Sequence, residues 1–348
     1  MPVKNNLNIP LDKYIDLSLY DKKIGYYMTK NPFGKRGDFI TAPNVSRLFS
    51  EMIAIWIIGF WENLGSPKNF NIVELGAGNG AMMKILLESF QKFPNFLNSC
   101  EIVIHEKSPK LIKIQKKELI QKKVIWVSDI NKIKKNPTIF IANEFFDAMA
   151  IKQFVKIDRL WFEKYVNIKN KKKALFFNKK INMKKFEEKI GYHISKDQNF
   201  IEYSLLGVKY LEKISKIIKE NNGGLLIIDY GYLNKKMKNT LKGISNHKYI
   251  SVLEELGKSD ITYNINFYLL KKILHKIGGL KNIITTQAKF LLKMGIKKRA
   301  EIISQNKDFS KKADIYYRLK TLIDEKQMGN IFKVMFIKKK DNNYKLGF

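Results

Sequence analysis

Three glycines at alternate positions, Gly76, Gly78 and Gly80, follow Ile72-Val73-Glu74-Leu75, three apolar residues and one acid that read as a short buried strand. A helical pattern of apolar residues (Met82, Met83, Ile85, Leu86, Leu87, Phe90) begins straight after them. A strand that stops at glycines and turns directly into a helix brings backbone N–H groups and a helix N-terminus against a ligand. Glycine allows this because it tolerates positive φ and lets another molecule approach the backbone closely. Gly76-Ala77-Gly78-x-x-Ala81 also fits the dinucleotide fingerprint. Glu74, however, stands just before the first glycine, where a pyrophosphate site carries an apolar residue, and so points to a different nucleoside ligand. The bland alternative is a tight strand-to-helix turn that binds nothing.

Carboxylates supply the second set of candidates. Glu106 ends the next strand, where an acid can accept hydrogen bonds from ribose hydroxyls. Asp129 suits the amino group of an adenine, and equally suits an ordinary turn. The segment Asn143-Glu144-Phe145-Phe146-Asp147 follows the fourth strand. A guanidinium or amine needs carboxylates to orient its N–H groups and aromatic walls to exclude water, and this segment offers both. Its phenylalanines could instead be core and its acids turn caps. Asp229-Tyr230 and the stretch Asp260-Ile261-Thr262-Tyr263-Asn264-Ile265-Asn266 are further candidates for the far side of a cleft, with helix capping an alternative for Asn264 and Asn266. Arg36 and Asp38, in the Pro/Gly-rich loop 31–43, could reach a ligand or pair with each other.

These residues need elements to bring them together. Strands at 71–75, 102–105, 124–127 and 138–142 alternate with helices at 81–91 and 109–121, which predicts an α/β fold with a mainly parallel sheet and helices on both faces. Right-handed crossovers put the carboxyl ends of such strands on one edge, where ligands bind. Gly76–Gly80, Glu106, Asp129 and Asn143–Asp147 are therefore expected to converge. Upstream, residues 11–30 read as helical, and an Asn44–Ser46 cap starts a helix to about Leu64, closed by Gly65 and Pro67. Residues 151–200 break the rhythm, with a hairpin about Lys156–Arg159 and then a lysine-rich stretch. Helix 206–220, strand 225–229, a polar segment to 262, helix Asn264–Ile277, strand 282–285, helices across 287–325 and strand 332–337 follow. The expected organisation is a helical cap with a ligand loop (1–66), a Rossmann-like core (67–150 and 201–348) and an inserted hairpin or flap (151–200).

Composition narrows the function classes. At 348 residues and 45% apolar content the chain can bury a sizeable core. The net charge of +33 comes from lysines spread along the whole chain, beside abundant Ile and Asn, a pattern that low-GC coding, an acidic partner surface or solubility explain equally well and that is not a localised nucleic-acid footprint. Cys100 is the only cysteine and the four histidines are far apart, so neither a disulfide framework nor a metal site is expected. The apolar run Met52–Trp61 is too short for a bilayer, which needs ~20 residues, and reads as a buried helix. Met1–Pro10 has neither an apolar signal core nor an Arg-rich presequence, and a cytoplasmic bacterial protein is expected.

Taken together, the motifs resemble the MidA-type methyltransferases, a family that includes the mitochondrial complex I assembly factor acting on a protein arginine. The resemblance runs through Gly25-Tyr26-Tyr27, Gly37-Asp38-Phe39-Ile40-Thr41-Ala42-Pro43, Glu74-Leu-Gly-Ala-Gly-Asn-Gly80 and Ala142-Asn143-Glu144-Phe145-Phe146-Asp147-Ala148. It continues in Asp229-Tyr230-Gly231, Asp260-Ile261-Thr262, Thr286-Gln287 with Phe290-Leu291, and Met328-Gly329 before Phe332-Lys333-Val334. It implies a class I fold with a seven-stranded sheet, S-adenosylmethionine as methyl donor, symmetric arginine dimethylation, and a substrate in the core of respiratory complex I. On that reading the cofactor residues are Glu74, Gly76, Ala77, Gly78, Gly80, Glu106, Asp129, Asn143, Gly37 and Asp38. Glu144, Asp147 and Asn143 would be catalytic, and Phe146, Asp229, Tyr230, Arg36 and Asp260 would meet the substrate. The sequence departs from the family pattern at Asn44, where Glu is frequent, at Asn264, where His or Asp is frequent, and at Asn266, where Asp is frequent. A methyltransferase of small molecules or of another side chain, a donor-binding assembly chaperone that transfers nothing, and a nucleic-acid methyltransferase with salt-sensitive binding are the other classes. Oligomeric state is not encoded in any motif.

Overall fold

Residues 70–75 form a strand in which every position is buried, the signature of a sheet covered on both faces. In the computed structural model, which describes residues 6–30, 32, 41–120, 123–169, 173–254 and 256–348, this strand is central. The chain divides into two compact units: a sheet unit of residues 31–145, 213–231 and 277–348, and a flap unit of residues 1–30, 146–212 and 232–276.

The sheet unit contains α1 (Arg47–Asn63), β1 (Phe70–Leu75), α2 (Ala81–Phe90), β2 (Cys100–His105), α3 (Pro109–Glu118), β3 (Val124–Val127), β4 (Thr138–Asn143), β5 (Gly223–Tyr232), β6 (Leu280–Thr286) and β7 (Phe332–Lys339). Hydrogen bonding orders the seven strands β6-β7-β5-β4-β1-β2-β3. The pairs among β5, β4, β1, β2 and β3 are parallel, and β7 runs antiparallel to both neighbours. The chain thus starts at the middle of the sheet, winds outward to β3, then returns to build the other half from β4. The order reverses between β1 and β4, the place where open α/β sheets bind ligands.

The apolar run Met52–Trp61 lies within α1, as expected, and Ser46 caps that helix by accepting from Leu48 N. Its aromatic residues pack on the sheet: Trp56 meets Phe336 edge-on at 4.7 Å, and Tyr344 donates from its hydroxyl to Trp56 O. Fully burying side chains of this kind contributes roughly 1.5–3 kcal/mol each. Among the described residues no helix is long and apolar enough to cross a membrane.

In the flap unit, strands Lys152–Ile157 and Leu160–Lys169 form the expected hairpin. Its two-residue turn, Asp158-Arg159, holds both residues at positive φ (46° and 66°), which matches the right-handed twist of the flanking strands. This hairpin does not stand alone. Asn6–Pro10 pairs along one side of Leu160–Lys169 and Lys173–Ile181 along the other. The expected organisation therefore differs from the observed one: residues 1–30, 201–212 and 232–276 join the flap unit, whereas α1 joins the sheet unit. Residues 11–30 are two helices, Leu11–Tyr20 and Tyr26–Thr29, separated where the Asp21 side chain accepts from Lys23 N and Ile24 N and turns the chain. The polar stretch before 262 holds a three-stranded sheet of Lys242–Ser245, Lys248–Ile250 and Asp260–Thr262. The helix expected from Asn264 starts at Phe267, with Asn266 accepting from Leu269 N.

Candidate active site

The glycine loop leaves β1 with Gly76, Gly78 and Gly80 all in the left-handed region (φ 65°, 54° and 85°). A side chain at Gly76 would put its Cβ 2.9 Å from the Phe145 ring, so the loop is closed to any larger residue there. Asn79 braces the turn in two directions. Its Oδ1 accepts from Ala81 N at 3.2 Å, and its Nδ2 donates to Asn44 Oδ1 at 3.1 Å. Asn44, the position that departs from the family pattern, thus links the Thr41–Pro43 segment to the loop.

Glu106, the residue after β2, is almost wholly buried. Its Oε1 accepts from Lys107 N and Ser108 N at 2.8 and 2.9 Å, and its Oε2 accepts from Gln115 Nε2 at 3.1 Å. Burial raises its pKa, and those bonds oppose the rise. Glu74 on β1 is equally buried, and its Oε2 has no hydrogen-bond partner among the described residues. Burial, and then the charge of Glu106, push its pKa up to about 8, so Glu74 is mainly protonated at neutral pH. Asp129, beyond β3, is more open. It accepts from Asn131 N and Nδ2, and these bonds lower its pKa.

At the end of β4, Asn143 is buried, its Nδ2 donates to Glu144 Oε1 at 3.3 Å, and its Oδ1 has no partner among the described residues. Glu144 adopts φ 48°, uncommon for a residue with a side chain, while its N–H donates to Ile228 O of β5 at 2.9 Å. Asp229 is fully buried on β5 and accepts from Tyr230 N, and the Tyr230 ring meets Phe332 edge-on at 5.4 Å. The sheet unit thus sets the Glu74 and Glu106 carboxylates near enough to feel each other's charge, with Gly78 tied to Glu106 through Gln115.

Phe146, Asp147 and Asp260 belong to the flap unit. Both aspartates are buried, and each is held by a hydroxyl: Thr262 Oγ1 donates to Asp147 Oδ2 at 3.0 Å, and the Tyr27 hydroxyl donates to Asp260 Oδ1 at 2.8 Å. Arg36, Gly37 and Asp38 lie outside the described residues.

The residues of the sheet unit fit an adenosine cofactor. Three glycines hold the loop in a left-handed backbone, Glu106 is a buried acid fixed at both oxygens, and Glu74 and Asn143 keep buried polar atoms in reserve. The strand order, with an antiparallel β7 inserted beside β5, together with this loop, defines a class I S-adenosylmethionine-dependent methyltransferase. A family model described as "Putative S-adenosyl-L-methionine-dependent methyltransferase" matches residues 52–286, more than half the chain, and the chain belongs to that family. It is 28% identical to the mitochondrial protein arginine methyltransferase NDUFAF7 of Xenopus laevis over 95% of this chain and 81% of that protein. The human counterpart is also 28% identical, over 95% of this chain and 80% of that one. In three dimensions the chain is similar to a Burkholderia thailandensis protein crystallised with S-adenosylhomocysteine, with a TM-score of 0.82, 23% identity and coverage of 98% of this chain and 90% of that one. The protein is a methyltransferase that uses S-adenosylmethionine, which when bound supplies a methyl group on a positively charged sulfur.

Sequence reading missed Gln115 and Trp126, and gave Tyr27 no role. Gln115 sits in a lysine-rich helix that looks solvated, yet it stands four residues after Leu111 and four before Leu119, both buried, so its place on the apolar stripe was the available signal.

Proposed function

We propose that this enzyme is a protein-arginine N-methyltransferase that symmetrically dimethylates an arginine of a core subunit of respiratory complex I during assembly, in the bacterial cytoplasm. The observation that carries this reading is the Asn143–Asp147 segment, which sets Glu144 in a strained left-handed conformation immediately after the β4 strand end. Such strain is retained where surrounding structure holds it for a purpose. The similarity to curated protein arginine methyltransferases over most of the chain supports the same substrate class.

A neutral thioether leaves readily, so the residues mainly have to hold the nucleophile in line and receive a proton. In this proposal Glu144 and Asp147 accept hydrogen bonds from a guanidinium, and a carboxylate takes the N–H proton released as the new N–C bond forms. Asn143 orients Glu144 through the bond between their side chains. Phe146, Asp229, Tyr230, Asp260 and Arg36 line the substrate side. Glu106 takes the ribose, Asp129 the adenine amino group, and Glu74, Gly76, Ala77, Gly78, Gly80, Asn143, Gly37 and Asp38 the rest of the donor. Incubating the purified enzyme with methyl-labelled donor and isolated complex I core subunits tests the proposal. Label on an arginine, read by fragment mass spectrometry, is the expected result; donor binding with no transfer to any arginine overturns it.

A further inference from the structure

Gln115 lies on α3 with no exposed surface, and its amide makes three hydrogen bonds to three different elements. Nε2 donates to Gly78 O at 2.9 Å and to Glu106 Oε2 at 3.1 Å, and Oε1 accepts from Trp126 Nε1 of β3 at 2.9 Å. We propose that Gln115 is a positioning residue for the cofactor: its amide, latched by the Trp126 indole, aims the Glu106 carboxylate at a ribose hydroxyl and holds the glycine loop beside it.

An amide group has two N–H donors and one acceptor oxygen, and an indole can only donate. The amide orientation is therefore fixed by chemistry. Turned over, the oxygen would face two acceptors, Gly78 O and Glu106, and the NH2 would face the indole N–H, losing all three bonds in a buried place. With the amide locked, both its donors are used, one on the loop and one on the acid. Glu106 is then held at both oxygens. Oε1 takes the N–H groups of Lys107 and Ser108, which fill its two acceptor positions, whereas Oε2 takes Gln115 and keeps one. Gln115 therefore decides where the remaining acceptor position points. The loop depends on the same helix: a Cβ at Gly80 would lie 3.5 Å from the Gln115 Cα, so α3 packs directly behind the turn.

Trp126 also packs against the hydrophobic core and meets a neighbouring lysine. Lys116 places its ammonium 5.4 Å from the indole ring centre, a cation–π contact between neighbouring elements that keeps the ring in place. The latch thus runs from β3 through α3 to the ends of β1 and β2.

Titration calorimetry with S-adenosylhomocysteine and its 2′-deoxy and 3′-deoxy analogues tests the assignment without relying on turnover. The wild type is expected to lose at least about tenfold in affinity for one deoxy analogue, the discrimination a charged hydrogen bond provides. Gln115→Met keeps the volume and removes the bonds. It should bind S-adenosylhomocysteine roughly tenfold more weakly and discriminate less between it and that deoxy analogue. Trp126→Phe frees the amide to turn and should show a smaller loss of the same kind, which keeps the test available should Gln115→Met fail to fold. Variants that retain full discrimination overturn the proposal, whether affinity is unchanged or falls equally for all three ligands.

Discussion

The Tyr27 hydroxyl donates to Asp260 Oδ1 at 2.8 Å while its ring stacks on Tyr20, 5.6 Å between centroids. Asp260 and Thr262 stand two apart on one strand and so point to the same face. The Thr262 hydroxyl holds Asp147 there in the same way that Tyr27 holds Asp260. Burial, and then the negative charge of Asp260, raise the Tyr27 pKa well above its usual value, so the phenol remains a neutral donor throughout the physiological range.

If Asp260 meets the substrate, Tyr27→Phe takes one hydrogen bond from that carboxylate without removing the carboxylate. The KM for the proposed protein substrate should rise by about tenfold, the effect of one lost hydrogen bond to a charged group, with donor affinity unchanged. Steady-state kinetics with either substrate varied checks this. A fall in kcat with an unaltered protein KM would remove Tyr27 from the substrate side.

Glu74 gives the enzyme a pH signature. Its folded-state pKa of about 8 lies above the ordinary glutamate value of ~4.3, so the native state holds this proton more tightly than the unfolded chain. The resulting stabilisation is complete below the unfolded pKa and is lost as pH rises through about 8. Glu74→Gln should therefore gain on the wild type steadily between pH 5 and 8 and hold a constant advantage above that, roughly, as linkage requires. Urea unfolding at several pH values measures the difference. A gap that does not change with pH would show that Glu74 is ionised in the folded state.

Local constraints made the cofactor side readable from sequence. Gly76, Gly78 and Gly80 announce themselves because so few residues accept φ near 60°, and β1 announces itself because a strand buried on both faces is mainly apolar. The hairpin at 151–200 could be expected for a related reason, two apolar runs about a polar turn. What pairs with its outer edge could not. Asn6–Pro10 joins Leu160–Lys169 across the whole 31–145 segment of the sheet unit, and no local propensity carries such a pairing. The same limit explains the altered division of the chain and hides the link between Gln115 and Trp126, whose meaning arises only when three elements meet. Asp129 illustrates an open choice, since an acid that caps a turn and an acid at a strand tip have the same sequence signature.

A second pH effect opposes the first. Glu51 of α1 is buried and accepts from Arg299 at 2.7 and 3.1 Å and from Arg47 at 2.9 Å. Burial alone would raise its pKa, but the two guanidinium groups more than offset this and hold it below the usual range. Its stabilisation is therefore present above the unfolded pKa and lost as pH falls through the folded one. Glu51→Gln should cost about 2 kcal/mol at neutral pH, the scale of hydrogen bonds to a charged group, and progressively less as pH falls below the ordinary carboxylate range. Chemical denaturation at pH 7 and pH 3 decides the matter.

Gly76 separates two demands that a substitution normally confounds. Gly76→Ala must place an L-residue at φ 65° and also bring a methyl group to 2.9 Å from the Phe145 ring. The backbone cost alone is of order 1 kcal/mol. The steric contact adds to it only if Phe145 stays where it is, and that ring flanks Glu144, so relief of the clash would move the segment proposed to orient the guanidinium. The double variant Gly76→Ala/Phe145→Leu removes the ring while retaining the dihedral strain. Gly76→Ala should weaken S-adenosylhomocysteine binding by more than about tenfold, and the double variant should recover part of that loss. Recovery of affinity without recovery of transfer would place the function of the Phe145 ring in aligning Glu144. No recovery of affinity would leave the left-handed backbone of Gly76 as the whole reason for glycine there.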